Sequence, residues 1–186
     1  MASAASGEDL SIVRPDSDFF GAVEAKSGEP VSACYQCRKC TNGCPLAFAM
    51  DVMPNQVMRM IQLGLREEVL QSHTIWICAS CQTCTTRCPN DIDIAHVMDT
   101  LRQLSMELGV EVAEPNVVKF HKAFLDSLRR HGRVFELGMV GRYKLATMDL
   151  FSDAALAWEM LKRGKLKFLP AGIQGKREVR AMFDRS

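Results

Sequence analysis

The sequence predicts a mostly α-helical protein, and three observations lead to this fold class. A short cysteine run occurs twice, as CYQCRKCTNGCP at residues 34–45 and as CASCQTCTTRCP at residues 78–89. Each run is followed by apolar residues at helical spacing. No run of alternating β-branched residues occurs anywhere in the sequence. We therefore expect two pseudo-symmetric halves, each a cysteine loop followed by a helix, together with a helical C-terminal extension.

Three parts are predicted along the chain. Residues 1–30 are rich in Ala, Ser, Gly and Asp and are predicted to form an extended or partly disordered arm. Residues 31–110 contain both cysteine runs, at a constant offset of 44 residues, and form the repeat. Residues 111–186 form the helical extension, which we expect to dock on partner proteins.

The helix of the first half is predicted to begin at Pro54, because proline is well tolerated at the first position of a helix. Its apolar stripe includes Val57 and Ile61. The helix of the second half has a longer stripe, formed by Ile94, Val97, Met98, Leu101, Leu104 and Leu108. In the extension, one helix is predicted from Pro115 to His131 and closed by Gly132. Another is predicted near residues 153–163.

Composition argues against several classes of function. The net charge of +1 provides no overall field for nucleic acid or a charged membrane. The N-terminal sequence MASAASGEDLSIV lacks the basic and apolar regions of a secretory signal. No window reaches the roughly 18 consecutive apolar residues of a membrane-spanning helix. We therefore expect a cytoplasmic protein, in which thiols stay reduced and eight cysteines favour metal binding over disulfides.

Each cysteine run has the spacing C-x2-C-x2-C-x3-C-P, which is typical of [4Fe–4S] ligation. Three thiolates at this spacing can wrap one cluster, and in two-cluster ferredoxins the fourth ligates the other cluster. The sequence therefore predicts two [4Fe–4S] clusters with crossed ligation. The predicted ligands of the first cluster are Cys34, Cys37, Cys40 and Cys88. Those of the second cluster are Cys78, Cys81, Cys84 and Cys44.

Other uses of these cysteines fit less well. A zinc site needs four ligands, usually in two separated pairs, and does not explain the third cysteine of each run. A c-type haem requires CxxCH, but Arg38 and Gln82 occupy the histidine positions. No thiol is left over as a nucleophile, and no nucleotide-binding glycine motif is present. We expect no catalytic residue in this chain. His73 and Trp76 precede the second run and could tune a cluster, although packing beside it is the simpler interpretation.

Residues 34–109 resemble the iron–sulfur domain of the C-type subunit of heterodisulfide reductase. The resemblance rests on CYQCRKCTNGCP, on CASCQTCTTRCPNDIDI and on the lead-in TIWICASC. It continues more loosely through HKAFLDSLRRHGRVFELGMVGRYK and EMLKRGKLKFLP. It implies an electron-transfer subunit without catalysis of its own. In that family, the A-type subunit, which holds flavin and iron–sulfur clusters, supplies electrons, and the B-type subunit, with CCG domains, reduces a disulfide.

The resemblance thus implies a hetero-oligomer with the A-type and B-type subunits of heterodisulfide reductase as partners, without nucleic acid. Succinate dehydrogenase and fumarate reductase iron–sulfur subunits carry a preceding plant-type domain, but no cysteine precedes Cys34. Relatives fused to CCG domains are excluded because no cysteine follows Cys88. One alternative is a stand-alone dicluster ferredoxin or an adaptor of another oxidoreductase. Another is a regulatory protein in which the clusters are structural or sense oxidation.

Overall fold

Helices account for all the regular structure in the described part of the chain. A computed structural model of the chain describes residues 16–149, 152, 154–164 and 172–185. Within these ranges there is no β-strand. The chain divides into two compact units between Ala113 and Glu114, three residues beyond the boundary predicted from the sequence. The mostly α-helical fold class is therefore confirmed for the described residues.

The first unit contains seven α-helices in its described part. In chain order they are α1 Ser17–Ser27, α2 Lys39–Gly43, α3 Pro54–Gln62, α4 Arg66–Leu70, α5 Thr74–Ile77, α6 Thr83–Arg87 and α7 Ile94–Glu107. Two short 3-10 helices are added at Val31–Ala33 and Ala47–Ala49. The cysteine loops lie between these elements, so the short helices α2, α5 and α6 are what positions the thiols.

Helix α1 differs from the extended arm that the composition predicts for the first thirty residues. Phe19 and Val23, four residues apart, are both buried, and α1 packs on α3 and α7. Gly28 ends the helix with a φ of 69°, a conformation that favours glycine. The prediction was based on the polar composition of the segment and did not take into account that Phe19 and Val23 lie on one face of a helix. The first fifteen residues of the predicted arm lie outside the described residues.

The longer helices α3 and α7 form the centre of the first unit. Pro54 is the first residue of α3, as predicted. The predicted stripes are buried: Val57 and Ile61 on α3, and Ile94, Val97, Met98, Leu101 and Leu104 on α7. Leu108 departs from the prediction because it lies just past the end of α7 and is half exposed.

The second unit contains the helices α8 Pro115–His131, α9 Glu136–Thr147, α10 Ala154–Lys162 and α11 Lys176–Phe183. Helix α8 has the bounds that the sequence predicts, and Gly132 closes it with a φ of 75°. Helix α8 packs against both α9 and α11. Among the described residues, no helix combines the length and the apolar character needed to cross a membrane.

Candidate metal centre

The two cysteine loops follow the same backbone path. Gln36 in the first loop and Ser80 in the second are equivalent, with φ values of 63° and 50°. Arg38 and Gln82 are the next equivalent pair, at 65° and 63°. Left-handed backbone is uncommon for residues other than glycine, so four such residues in two short loops indicate a turn imposed by the site. Each loop therefore curls its cysteines inward in the same way.

A short helix completes each loop and presents its last two cysteines. Cys40 lies in α2 and Cys84 in α6, and the two helices pack against each other. Both helices end at the fourth cysteine, Cys44 or Cys88, where the backbone becomes extended with ψ near 120°. The chain leaves each loop at this residue, and the proline that follows prevents the helix from continuing.

Cys44 lies with the cysteines of the opposite half. It lines one cavity together with Cys78, Cys81 and Cys84, which is the ligand set predicted for the second cluster. The rest of the lining is mostly apolar, formed by Pro45, Leu46, Met50, Pro54, Ala79, Thr83, Ile94, Ala95 and Met98. The Cys44 Sγ atom is 4.0 Å from the Met50 Sδ atom. Four convergent thiols in an apolar setting fit a [4Fe–4S] cluster, which takes four cysteine ligands.

The first set of cysteines is also brought together. Burial raises the pKa of the Cys40 thiol, and the neighbouring thiols of Cys34 and Cys37 raise it further. The segment that follows Cys88 lies beside this loop, because the Asn90 side chain donates to the Ala33 carbonyl, directly before Cys34. Desolvation raises the pKa of the Tyr35 phenol, and the charges of Cys37 and Cys88 add to that rise. That Cys88 completes the first ligand set stays a prediction.

All eight thiols are free. Within the described ranges, no three His, Cys, Asp or Glu side chains converge as they would around a single metal ion. A [4Fe–4S] cluster takes four cysteine thiolates as ligands, and each run of the sequence supplies four cysteines. The chemistry of the donor set therefore matches a cluster better than a lone zinc ion.

Burial favours the protonated form of two thiols of the second set, Cys78 and Cys84. It raises the pKa of Cys78, and it raises that of Cys84 to about 11. Hydrogen bonds with Thr83 instead lower the pKa of the exposed Cys81 thiol. Iron binding must then displace protons from Cys78 and Cys84, because the thiolate is the metal ligand.

Asp51 joins the first half to the lead-in of the second cysteine loop. Its carboxylate accepts hydrogen bonds from the backbone N–H groups of His73 and Thr74, both at 2.9 Å. It also accepts one from the Thr74 hydroxyl at 2.7 Å. Burial alone would raise the pKa of Asp51, but these hydrogen bonds, with one from Val52, lower it overall. The carboxylate therefore caps the start of α5, which leads directly to Cys78.

A reciprocal connection runs from the second half to the lead-in of the first loop. The backbone N–H of Asp93 donates to the Glu29 carboxylate at 2.8 Å. The Asn90 side chain donates to the Ala33 carbonyl, directly before Cys34. Each half is thus tied, just after its fourth cysteine, to the segment that precedes the other loop. This interlock matches the crossed pairing of the cysteines.

The first loop has a side-chain support that the sequence reasoning missed. The Gln62 amide donates to the carbonyl of Val31 at 2.9 Å and to that of Cys34 at 3.0 Å. Gln62 ends helix α3 and lies 31 residues from Val31. Only the packing of α3 on the first loop brings these groups together, and no local motif signals it.

Arg102 supports the second loop in the equivalent place. Its guanidinium donates to the carbonyls of Ile75 and Cys78, which are the repeat counterparts of Val31 and Cys34. A third bond joins it to Asp99 at 2.8 Å. Arg102 lies 40 residues after Gln62 rather than 44, so aligning the repeat does not reveal the correspondence.

The two aromatic lead-in residues have different roles. His73 is exposed and its backbone N–H binds Asp51. Trp76 is 3% exposed, and its indole N–H is buried without a hydrogen-bond partner among the described residues. Packing before the second loop, the simpler of the two interpretations, agrees with the burial of Trp76.

These features, an α-helical fold with two equivalent cysteine loops and with Cys44 at the loop of the other half, are those of the class of dicluster iron–sulfur proteins. Residues 33–93 match the family described as "4Fe-4S dicluster domain". The fold and the spacing of the thiols therefore agree with a domain that binds [4Fe–4S] clusters.

Similar curated proteins point to one family within the class of dicluster iron–sulfur proteins. The chain is 31% identical over 140 residues to the second C-type iron–sulfur subunit of CoB–CoM heterodisulfide reductase from Methanocaldococcus jannaschii, an alignment covering 74% of this chain and 75% of the relative. It is 39% identical over 79 residues to the C-type iron–sulfur subunit of the same enzyme from Methanopyrus kandleri, covering 42% and 41%. It is 30% identical over 94 residues to the C-type subunit of the H2:CoB–CoM heterodisulfide, ferredoxin reductase from Methanothermobacter marburgensis, covering 50% and 51%.

The chain belongs to the family of C-type iron–sulfur subunits of heterodisulfide reductase. It spans about half or less of the length of the second and third relatives. Membership makes it an iron–sulfur, electron-transfer protein of the oxidoreductase class.

Proposed function

We propose that this chain is the electron-transfer subunit of a heterodisulfide reductase-like complex and holds two [4Fe–4S] clusters by crossed ligation. The observation that carries the proposal is the position of Cys44, which shares a cavity with Cys78, Cys81 and Cys84. Cys34, Cys37, Cys40 and Cys88 form the other ligand set. When bound, such clusters accept and donate single electrons.

The residues of the chain have simple tasks in this function. The thiolates hold the clusters, and the left-handed residues of each loop keep three of them at the required spacing. Pro45 and Pro89 turn the chain away after the fourth ligand. The apolar lining of the second cavity, including Met50 and Met98, limits the access of water. Solvent exposure is one of the factors that sets the reduction potential.

The relay itself needs other subunits. We propose that a flavin and iron–sulfur subunit supplies electrons and that a CCG-domain subunit uses them to reduce a disulfide. Two features support this. The sequence contains no CCG motif of its own. The relatives are named as one subunit of an oxidoreductase. The second unit, residues 114–186, is the surface proposed to dock on these partners.

The crossed ligation is tested by comparing Cys44→Ser with Cys88→Ser after anaerobic purification. Each variant should lose about half of the bound iron and sulfide and retain one reduced [4Fe–4S] EPR signal, and the two retained signals should differ. Met50→Leu, which changes the cavity lining but no ligand, should keep both clusters. Loss of both clusters in Met50→Leu, or of none in either serine variant, contradicts the assignment.

The relay is tested by purifying the tagged chain anaerobically from its native host and identifying the proteins that co-elute. We expect about eight irons per chain, from four in each of two clusters, together with a CCG-domain protein. A chain with two clusters and no partner would instead support a stand-alone dicluster ferredoxin. Zinc in place of iron would contradict the proposed function as a whole.

A further inference from the structure

The two cluster sites differ in the charge of the side chain that supports each loop. In the first half, the neutral Gln62 amide binds the carbonyl of Cys34. In the second half, the Arg102 guanidinium binds the carbonyl of Cys78, the equivalent cysteine. Arginine remains charged at all accessible pH values. A permanent positive charge therefore binds the carbonyl of Cys78, whereas a neutral amide binds the carbonyl of its counterpart, Cys34.

The charge on Arg102 is held close to the site and away from water. Its side chain is 14% exposed, and it forms hydrogen bonds to two backbone carbonyls of the lead-in and loop. Its counter-charge, Asp99, is 43% exposed and contacts the opposite branch of the guanidinium at 2.8 Å. The more buried partner is thus the cation, and it is also the one bound to the cysteine carbonyl.

Solvent weakens the charges near the first loop. Arg38 and Lys39 lie in that loop, and the Arg87 side chain lies against Gly43 of the same loop. All three side chains are exposed, so water and salt screen their charges. The repeat counterpart of Asp99 is Asn55, a neutral residue whose amide binds Gln36 at 3.1 Å. The first site therefore has neutral groups at both positions where the second has an ion pair.

We propose, on the basis of the function proposed above, that Arg102 is a positioning residue that makes the site of Cys78, Cys81, Cys84 and Cys44 the more easily reduced of the two. Reduction adds negative charge to a site, and a nearby buried cation stabilises the reduced state. Net charge and hydrogen bonding around the cluster are factors that set reduction potentials. Arg102 supplies both, with Asp99 opposing part of its charge.

The proposal is tested by EPR-monitored redox titration of the loaded protein. Arg102→Gln, which copies Gln62, should lower the higher of the two reduction potentials. At a fixed applied potential, the ratio of reduced to oxidised cluster at this site should fall about tenfold, equivalent to about 59 mV for a one-electron couple. Arg102→Lys retains the positive charge and should keep most of the wild-type difference between the two reduction potentials.

Asp99→Asn supplies the decisive comparison, because it removes the opposing charge but keeps an oxygen that can accept from Arg102 and Ser80. It should shift the same potential upward. A loosened structure cannot shift the potential in opposite directions for Arg102→Gln and Asp99→Asn. Arg66→Gln, which breaks a similar ion pair with Asp16 outside both loops, should leave both potentials unchanged.

The outcomes separate this inference from the function on which it rests. If the wild type contains both clusters but Arg102→Gln and Asp99→Asn move neither potential, or move it in the same direction, the inference about Arg102 is wrong and the proposed function stands. If Arg102→Gln shifts the lower potential instead, the order of the two sites is wrong. If the wild type binds no cluster, the proposed function fails and this inference fails with it.

Discussion

The two halves of the first unit share their cysteine loops but differ in what surrounds them. The loops have left-handed residues at the same two positions, and their short helices α2 and α6 are offset by 44 residues at both ends. The lead-ins diverge. The first is a 3-10 turn in which Ser32 is exposed, whereas the second is helix α5 in which its counterpart, Trp76, is buried. The preceding pair, Val31 and Ile75, is buried in both halves.

This difference shows which parts of the repeat the ligands constrain. Three thiols that bind one compact cluster, as proposed above, would restrict the backbone path of a loop, which agrees with the left-handed residues at the same positions in both loops. The supports behind the loop have only to bind its carbonyls, and either an amide or a guanidinium can do so. The halves can therefore keep the same ligand geometry while they differ in burial and charge.

The largest expected difference in stability between the halves comes from the residues that precede each cysteine loop. Trp76→Ala should lower the free energy of unfolding by about 3 to 5 kcal/mol, the usual cost of removing a buried aromatic side chain. Ser32→Ala, the equivalent substitution in the first half, should change it by less than about 0.5 kcal/mol because that side chain is exposed. Urea unfolding of the loaded protein measures both, and equal losses would contradict the difference in burial.

Gln62 provides the next test. Gln62→Ala removes the donor to the carbonyls of Val31 and Cys34. Because the Val31 carbonyl still accepts from the Cys34 backbone N–H at 3.1 Å, the loss in the free energy of unfolding should be about 1 kcal/mol, the usual net contribution of a hydrogen bond. Gln103→Ala, an exposed glutamine of α7, is the matched control and should stay within about 0.5 kcal/mol of the wild type. The same unfolding measurement applies. A loss in Gln103→Ala as large as that in Gln62→Ala would contradict the role of Gln62 as a support.

Asp51 should contribute about 1 kcal/mol to stability, typical of a carboxylate that caps a helix start. Its pKa is lowered in the folded protein, so this contribution is present above the unfolded pKa of about 3.9 and is lost as the pH falls through the folded pKa. The stability difference between the wild type and Asp51→Asn should therefore be constant from about pH 7 to pH 5 and shrink below about pH 4.

Asp91→Asn is the control for Asp51. Asp91 is exposed, with a φ of 53° that asparagine also adopts readily. Urea unfolding should show no difference between Asp91→Asn and the wild type across the same pH range. A difference for Asp51→Asn that grows toward low pH would contradict the sign of the linkage.

The smallest effect should be the same in both halves. Arg38→Gly and Gln82→Gly remove the cost of left-handed backbone but increase the entropy of the unfolded chain, so each should change stability by less than about 1 kcal/mol. Because the two positions have nearly the same φ, the two changes should agree within about 0.5 kcal/mol. Clearly unequal changes in the free energy of unfolding, measured in urea, would indicate that the two loops differ in ways that their backbone angles do not show.

Part of the candidate site could be read from the chain because its signals are local. The run C-x2-C-x2-C-x3-C-P predicts both sets of thiols and their crossed pairing, and the structure brings Cys44 to the loop of the other half. The ligation itself stays a prediction. Helices α3 and α8 begin at the predicted prolines, Pro54 and Pro115, since helix starts depend on neighbouring residues.

The parts that could not be predicted depend on contacts between distant segments. Helix α1 is stable because Phe19 and Val23 find buried positions against α3 and α7, which its own polar composition does not signal. Burial of one face can override a composition typical of disorder, because tertiary packing supplies most of the stability of a short helix.

The sequence by itself therefore determined the class of the protein: a mostly α-helical chain with two equivalent runs of four cysteines. Only the tertiary structure decided which groups support those sets, and that Gln62 and Arg102 occupy equivalent places. The physical reason is the range of each signal. Cysteine spacing and a proline at the first position of a helix act within a few residues, whereas Arg102 reaches the Ile75 carbonyl across 27 residues, a contact that exists only once α7 has packed against α5.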